Sequence, residues 1–218
     1  MNAIPTVTKI SEQKRRKNRR NIYLDGTFAF ACNINVVAQF RLRDGLRLSP
    51  EEVEQILQGE VRQECFDDAM AMLQRRLHSR NELQRKLTRK EYGAATIDTV
   101  LADLARLEYL NDEQFAKAKA TSSAERKHQG KRRAKQELMK AGVKGATADK
   151  ALNEVYDVHD SLAVAMELGE KQKARLMRLE PQVARRRLIG MLQRRGFDFD
   201  TIKPVVERVL GRGDGAME

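Results

Sequence analysis

Tryptophan is absent from the 218-residue chain, and aromatic residues make up only 5% of it. Leu, Ala, Arg, Lys, Glu and Gln abound instead, a composition that favours helices packed through aliphatic side chains. Only two cysteines occur, Cys32 and Cys65. That excludes a disulfide framework, and a zinc site needs about four clustered ligands that the surroundings do not offer. Both read as reduced thiols. No run approaches the roughly 20 apolar residues of a membrane span, and the N-terminus lacks a signal peptide's apolar core, so the cytosol is the expected compartment.

Catalytic signatures are missing as well. The three histidines, His78, His128 and His159, stand far apart, without the one-turn spacing of a metal-binding helix. Glycine-rich phosphate loops and a strand-turn-helix nucleophile elbow are absent. Asp67-Asp68 and Glu51-Glu52 are adjacent pairs, and neighbours on a helix point about 100° apart, which suits helix-start charge better than a catalytic dyad. No enzyme, metal or cofactor is expected.

Acidic residues are the scarcer charge: 31 against 42 Lys and Arg, a net charge of +11. A polyanionic partner follows naturally, with a solvated basic surface as the alternative. Hydrophobic residues form 41% of the chain, enough for the core of one or two domains.

Near the N-terminus a basic run, Lys14, Arg15, Arg16, Lys17, Asn18, Arg19 and Arg20, precedes two β-prone segments, Asn21–Leu24 and Thr27–Phe30. Asp25-Gly26 between them predicts a two-residue hairpin turn, because both residues tolerate positive φ. Ser49-Pro50-Glu51-Glu52 predicts a helix start, with a cap, a proline at the first helical position and two acids at the positive end of the dipole.

From about Gln63 onward the pattern is helical, and it repeats. Leu87, Leu138 and Leu192 serve as anchors, 51 and 54 residues apart. One turn earlier stand Leu83, Ala134 and Leu188. Five residues later come Tyr92, Val143 and Phe197, each preceded by Glu91, Gly142 or Gly196, where a closing helix favours left-handed backbone. Further matches follow in register: Ile97, Ala148 and Ile202; Leu101, Leu152 and Val206; Leu104, Val155 and Val209. With an apolar helix upstream of each anchor, each unit has three helices. The expected fold is mainly all-α, tandem three-helix repeats in an elongated curved array with a small N-terminal β-hairpin extension. The expected segments are an extension over 1–60, repeats over 61–108, 109–158 and 159–210, and a disordered tail over 211–218. The third repeat has three extra residues, which the pattern places in its first helix between Glu170 and Leu179. Tyr92, Tyr109, Phe115 and Phe197 fall at repeat register and are expected in the core rather than as base-stacking groups.

Cations gather on the middle helix of each unit. The candidate binding residues are Arg80, Arg85 and Arg89 in the first, Lys131, Arg132, Arg133 and Lys140 in the second, and Arg186 and Arg194 in the third. Two positions beyond each anchor, opposite the apolar stripe, stand Arg89, Lys140 and Arg194. Such a recurrence suits phosphates or an acidic protein groove. The plainer alternative is a soluble helix face that pairs with Glu at helical spacing. The run Lys14–Arg20 is a candidate phosphate-binding arm.

The stretch from His78 to Leu87, HSRNELQRKL, followed by Tyr109–Ala116, YLNDEQFA, resembles the first repeat of RecX regulatory proteins. Gly130-Lys131-Arg132-Arg133 with Glu137-Leu138 and Gly142-Val143 is similar to the family's second repeat. Arg194-Arg195-Gly196-Phe197 resembles the close of the third, and Arg16–Gly26 the N-terminal extension. The resemblance covers nearly the whole chain. It implies a regulator without cofactor that lodges in the helical groove of the RecA filament on single-stranded DNA, where it lowers ATP hydrolysis, strand exchange and repressor cleavage. Nothing in the chain specifies a dimer, so a monomer is expected. Its own affinity for DNA, single-stranded or duplex, would be modest and salt-sensitive. A direct DNA-binding module of helix-turn-helix type is the alternative.

Overall fold

The computed structural model describes residues 4–14 and 16–211. Arg15 and residues 212–218 of the expected tail lie outside them. The chain divides into two compact units, one of residues up to 76 with 83–109, the other of residues 77–82 with 110 onward.

The first unit opens with an antiparallel sheet of β1 (Val7–Glu12), β2 (Arg19–Leu24) and β3 (Thr27–Asn33), in that order. The expected hairpin is β2–β3, and Asp25 and Gly26 at its tip have φ of 48° and 83°. Strand β1 was not expected. Its sequence, Val-Thr-Lys-Ile-Ser-Glu, buries only Val7 fully, as befits an edge strand paired on one side. Asn33 caps α1 (Ile34–Gln39). Val7, Ile22, Phe30, Val36 and Leu48 close a small core against Ile56 of α2 (Pro50–Leu73).

Helix α2 begins where its cap predicts. Ser49 Oγ accepts the Glu52 N–H at 3.2 Å, and the Glu52 carboxylate accepts the Ser49 N–H at 2.7 Å. It then runs unbroken for 24 residues, so the extension's helix and the first helix of the first repeat are one. Gly59 within it leaves room for Phe40, whose ring carbon would stand 2.8 Å from an added Cβ. With α3 (Arg80–Thr88) and α4 (Ala94–Arg106), α2 forms the first three-helix group.

The second unit holds α5 (Asp112–Thr121), which ends in a π-turn at Ser122–Arg126, then α6 (Lys131–Lys140) and α7 (Gly145–Tyr156). A third group follows, α8 (Ser161–Leu176), α9 (Pro181–Arg194) and α10 (Phe199–Leu210). In every group the first and third helices pack on each other: α2 on α4, α5 on α7, α8 on α10. The anchors Leu87, Leu138 and Leu192 are all fully buried, as are the residues one turn earlier. The three extra residues of the third group lie elsewhere than expected. Most of the added length stands at the start of α9, which has 14 residues against 10 in α6 and begins four residues further ahead of its anchor.

Phe115 and Phe197 are core residues, and Tyr92 is half-buried with its hydroxyl donating to Asp68 at 2.7 Å. Tyr109 departs from expectation at 52% exposure. It follows the third helix of its group rather than the middle one, so no later helix of that group covers its ring.

Glu91, Gly142 and Gly196 close the three middle helices at φ of 66°, 83° and 88°. Glu91 is exposed and pays the steric cost of left-handed backbone, roughly 1 kcal/mol or more for a residue with a Cβ. Glu91→Gly is therefore expected to stabilise the chain by about 0.5–1 kcal/mol, read as a higher urea midpoint at constant m. A lowered midpoint would contradict this account of the turn.

Cys32 and Cys65 are fully buried, and burial pushes both thiols up to about 11. At pH 8 roughly one thousandth of each is then thiolate, the reactive form. Native protein should leave a colorimetric disulfide reagent unreacted over minutes, with both thiols titrating once denaturant is added. Fast reaction in the native state would mean that the core around Ile22 and Ala69 opens readily.

Candidate nucleic-acid interface

The start of α6 meets the end of α9 through backbone. The Gly130 N–H donates to Arg195 O at 2.9 Å, and the Arg132 N–H to Gly196 O at 3.2 Å. Opposite ends of two helix dipoles therefore face each other. A Cβ on Gly130 would stand 2.3 Å from Gly196 O, and one on Gly196 2.3 Å from Arg133 N, so only glycine permits this approach. The segment 77–82 meets the end of α6 through side chains. Ser79 Oγ donates to Ala141 O, and a Cβ on Gly142 would strike Asn81 Cβ at 2.3 Å.

This joint gathers cations. Lys127, Arg133, Arg194 and Arg195 line an open groove of about 720 Å³ between the π-turn loop, α6 and α9, with Gln129, Gln136 and Gln193 between them. Arg195 Nη1 donates to Lys127 O at 3.2 Å and His128 O at 3.4 Å, tying the loop to α9. Glu137 anchors the other side, 2.9 Å from Lys127 Nζ and 3.8 Å from Arg133 Nε. The Lys127 ammonium, through that hydrogen bond, holds the Glu137 carboxyl below its ordinary range. One carboxylate thus serves two cations, which leaves the groove net positive. A second groove, between α8 and α9, is lined by Arg175, Arg186, Arg187 and, again, Arg194.

The candidate residues of the second unit are thereby sorted. Arg133 and Arg194 share the polar groove, and Arg186 and Arg194 share the other. Lys131 and Arg132 are exposed at the start of α6. Lys131 lies 3.7 Å from Asp157, and Arg132 lies near Asp198, whose carboxyl is lowered first by its capping bonds to Thr201. Lys140, at the last residue of α6, is exposed, and so are Arg80, Arg85 and Arg89 on and just after α3. The Arg80 N–H donates to Asp112 Oδ1 at 2.8 Å.

The N-terminal run is divided by the sheet. Lys14, Arg16 and Lys17 lie in the β1–β2 connection, while Arg19 and Arg20 are strand residues with carboxylate partners. Arg19 Nη1 stands 2.7 Å from Glu64 and 2.9 Å from Glu60, the latter outside hydrogen-bond geometry, and Arg20 is 3.3 Å from Glu12. Glu60 is buried and accepts the Asn33 N–H at 2.6 Å; burial raises its carboxyl despite Arg19. Arg19 therefore serves the fold, and the run is not one continuous arm.

Reasoning confined to middle helices missed Lys127 and Arg175. Their signal was the sequence of the flanking segments, Arg126-Lys127-His128 and Lys173-Ala174-Arg175, which are as basic as the helices. Among the described residues there is no group of three His, Cys, Asp or Glu placed to hold a metal ion, and no helix long and apolar enough to cross a membrane.

A small antiparallel sheet followed by helices in successive groups of three, with cations collected where two groups meet, defines a tandem three-helix protein. Family models match it in order: the regulatory protein RecX N-terminal domain over residues 5–49, and the first, second and third RecX three-helix domains over 65–104, 111–152 and 159–206. The regulatory protein RecX of Bacillus subtilis (strain 168) is 30% identical over 97% of this chain and 80% of its own length. That of Clostridioides difficile (strain 630) is 29% identical over 94% of this chain and 95% of its own. A crystal structure of regulatory protein RecX superposes with a TM-score of 0.77 at 23% identity, covering 92% of this chain and 98% of that one. The chain belongs to the RecX family of regulatory proteins.

Proposed function

We propose that this protein binds the RecA filament on single-stranded DNA and restrains RecA's ATP hydrolysis, strand exchange and coprotease activity, moderating recombination, repair and the SOS response. Family membership supplies the partner. The observation that carries the mechanism is the polar groove where Lys127, Arg133, Arg194 and Arg195 converge at the joint between the second and third three-helix groups. A groove with a polar floor and several cations suits a phosphate backbone or an acidic protein surface. The reading needs neither catalytic group nor cofactor, and it takes the protein to act as a cytoplasmic monomer with repeats over 61–108, 109–158 and 159–210.

A direct DNA-binding module is the second reading, because three-helix groups present a helix in the manner of helix-turn-helix domains. Binding isotherms on bare and RecA-coated single strands, taken across a salt series, separate the two. The filament reading expects weak, steeply salt-dependent binding to bare DNA and tighter binding to coated DNA. Sequence-specific protection of duplex, with no preference for the filament, would support the module instead.

A further inference from the structure

The two grooves that share Arg194 differ in their floors. Glutamines pave the first. The second, about 470 Å³ between α8 and α9, has an aliphatic floor of Leu176, Leu179, Leu188 and Met191. Leu176 and Leu188 are buried in the core of the third group, while Leu179 and Met191 are half-exposed. Arg175, Arg186, Arg187 and Arg194 stand exposed on its rim. Among the described residues none of the four has a carboxylate within ion-pair distance, whereas Lys171 and Lys173 on α8 each have one.

A nucleic acid would use that rim and waste the floor. Phosphates gain nothing from leucine and methionine, and no aromatic ring lines the groove to stack a base. An apolar floor ringed by guanidinium forks suits a chain that offers aliphatic side chains and carboxylates together, because Arg pairs bidentately with carboxylate while the aliphatic groups leave water. The volume lies within the roughly 300–1,000 Å³ of sites that take small ligands or a few side chains. We infer that the α8–α9 groove is a docking site for an acidic peptide segment with aliphatic anchor residues, separate from the polar groove assigned to the filament. Arg186 and Arg187 read its carboxylates, and Leu179 and Met191 receive its anchors.

The test is fluorescence anisotropy on the full chain without RecA, so its outcome does not depend on the filament reading. The probe is a labelled peptide, Asp-Asp-Leu-Leu-Glu-Asp-Ile-Leu, beside a control with serine at each aliphatic position and a labelled oligothymidylate. The acidic-aliphatic probe should bind roughly tenfold or more tighter than the serine control. Arg186→Ala with Arg187→Ala should weaken it by a similar factor, while Lys127→Ala should leave it unchanged. Both arginines are exposed, so the double variant keeps the core intact, which an unchanged melting curve verifies. Equal binding of the two peptides would overturn the proposal, since charge alone would then explain it. So would no peptide binding, or displacement of the probe by oligothymidylate, which would return the groove to the nucleic-acid surface.

Discussion

Gly196→Val is expected to lower the stability of the protein by more than about 3 kcal/mol. Two costs add. The residue sits at φ 88°, where an L side chain is strained by roughly 1–2 kcal/mol, more when branched at Cβ. Its new Cβ would also stand 2.3 Å from Arg133 N and 2.8 Å from Arg133 Cα, backbone atoms that cannot swing away. Overpacking of this kind costs typically 1–3 kcal/mol. Gly130→Val isolates the second cost, because Gly130 has an ordinary φ of −73° yet its Cβ would meet Gly196 O at the same 2.3 Å. Calorimetry should show both variants melting lower, Gly196→Val by roughly 6–12 °C and Gly130→Val by less. Equal losses would mean that the joint alone, not the left-handed turn, sets the cost.

Leu138→Ala and Leu192→Ala are expected to cost about 2–5 kcal/mol each, the range for emptying a fully packed leucine site. Leu138 closes the core of Phe115, Ala134 and Leu152, and Leu192 that of Leu188, Ile202 and Val205. The neighbouring Met139, 49% exposed, is the matched control, and Met139→Ala should move stability by no more than about 0.5 kcal/mol. Denaturant melts of the three variants decide whether the anchors hold the repeats. A Met139 effect as large as that of Leu138 would place the apolar stripe on the wrong face.

What could be read from the sequence was whatever its local chemistry settles. Asp25-Gly26 specifies its turn through φ, Ser49 and Glu52 specify their cap through mutual reach, and the leucine anchors specify buried faces through helical period. The repeat also located the left-handed positions, including Glu91, where the residue type argued against one. What stayed hidden depends on partners distant in sequence. Strand β1 lacks clean alternation because its pairing with β2 shifts register between Val7 and Lys9. The seating of Phe40 against α2 rests on Gly59, a contact that no helical pattern contains. Arg19 looked like its neighbours in the basic run until Glu60 and Glu64 were brought beside it. The grooves belong to the same class: Lys127 meets Arg195 only because Gly130 and Gly196 let two helix ends touch. Cation spacing on a helix shows which residues face outward, and tertiary packing decides which of them converge.

On the proposed function, the cations at the start of α6 and in the groove beside it act on a RecA filament. Its most direct test is single-stranded-DNA-dependent ATP hydrolysis by the cognate RecA while the protein is titrated in, with Lys131→Ala, Arg132→Ala and Arg133→Ala combined in a second titration. Alanine avoids setting new carboxylates against Asp157, Asp198 and Glu137. The wild-type chain should inhibit at amounts well below one per RecA, and the triple variant should need roughly tenfold more for the same effect. Undiminished RecA turnover in the presence of wild-type protein that binds DNA tightly would contradict the account and leave a DNA-binding module in its place.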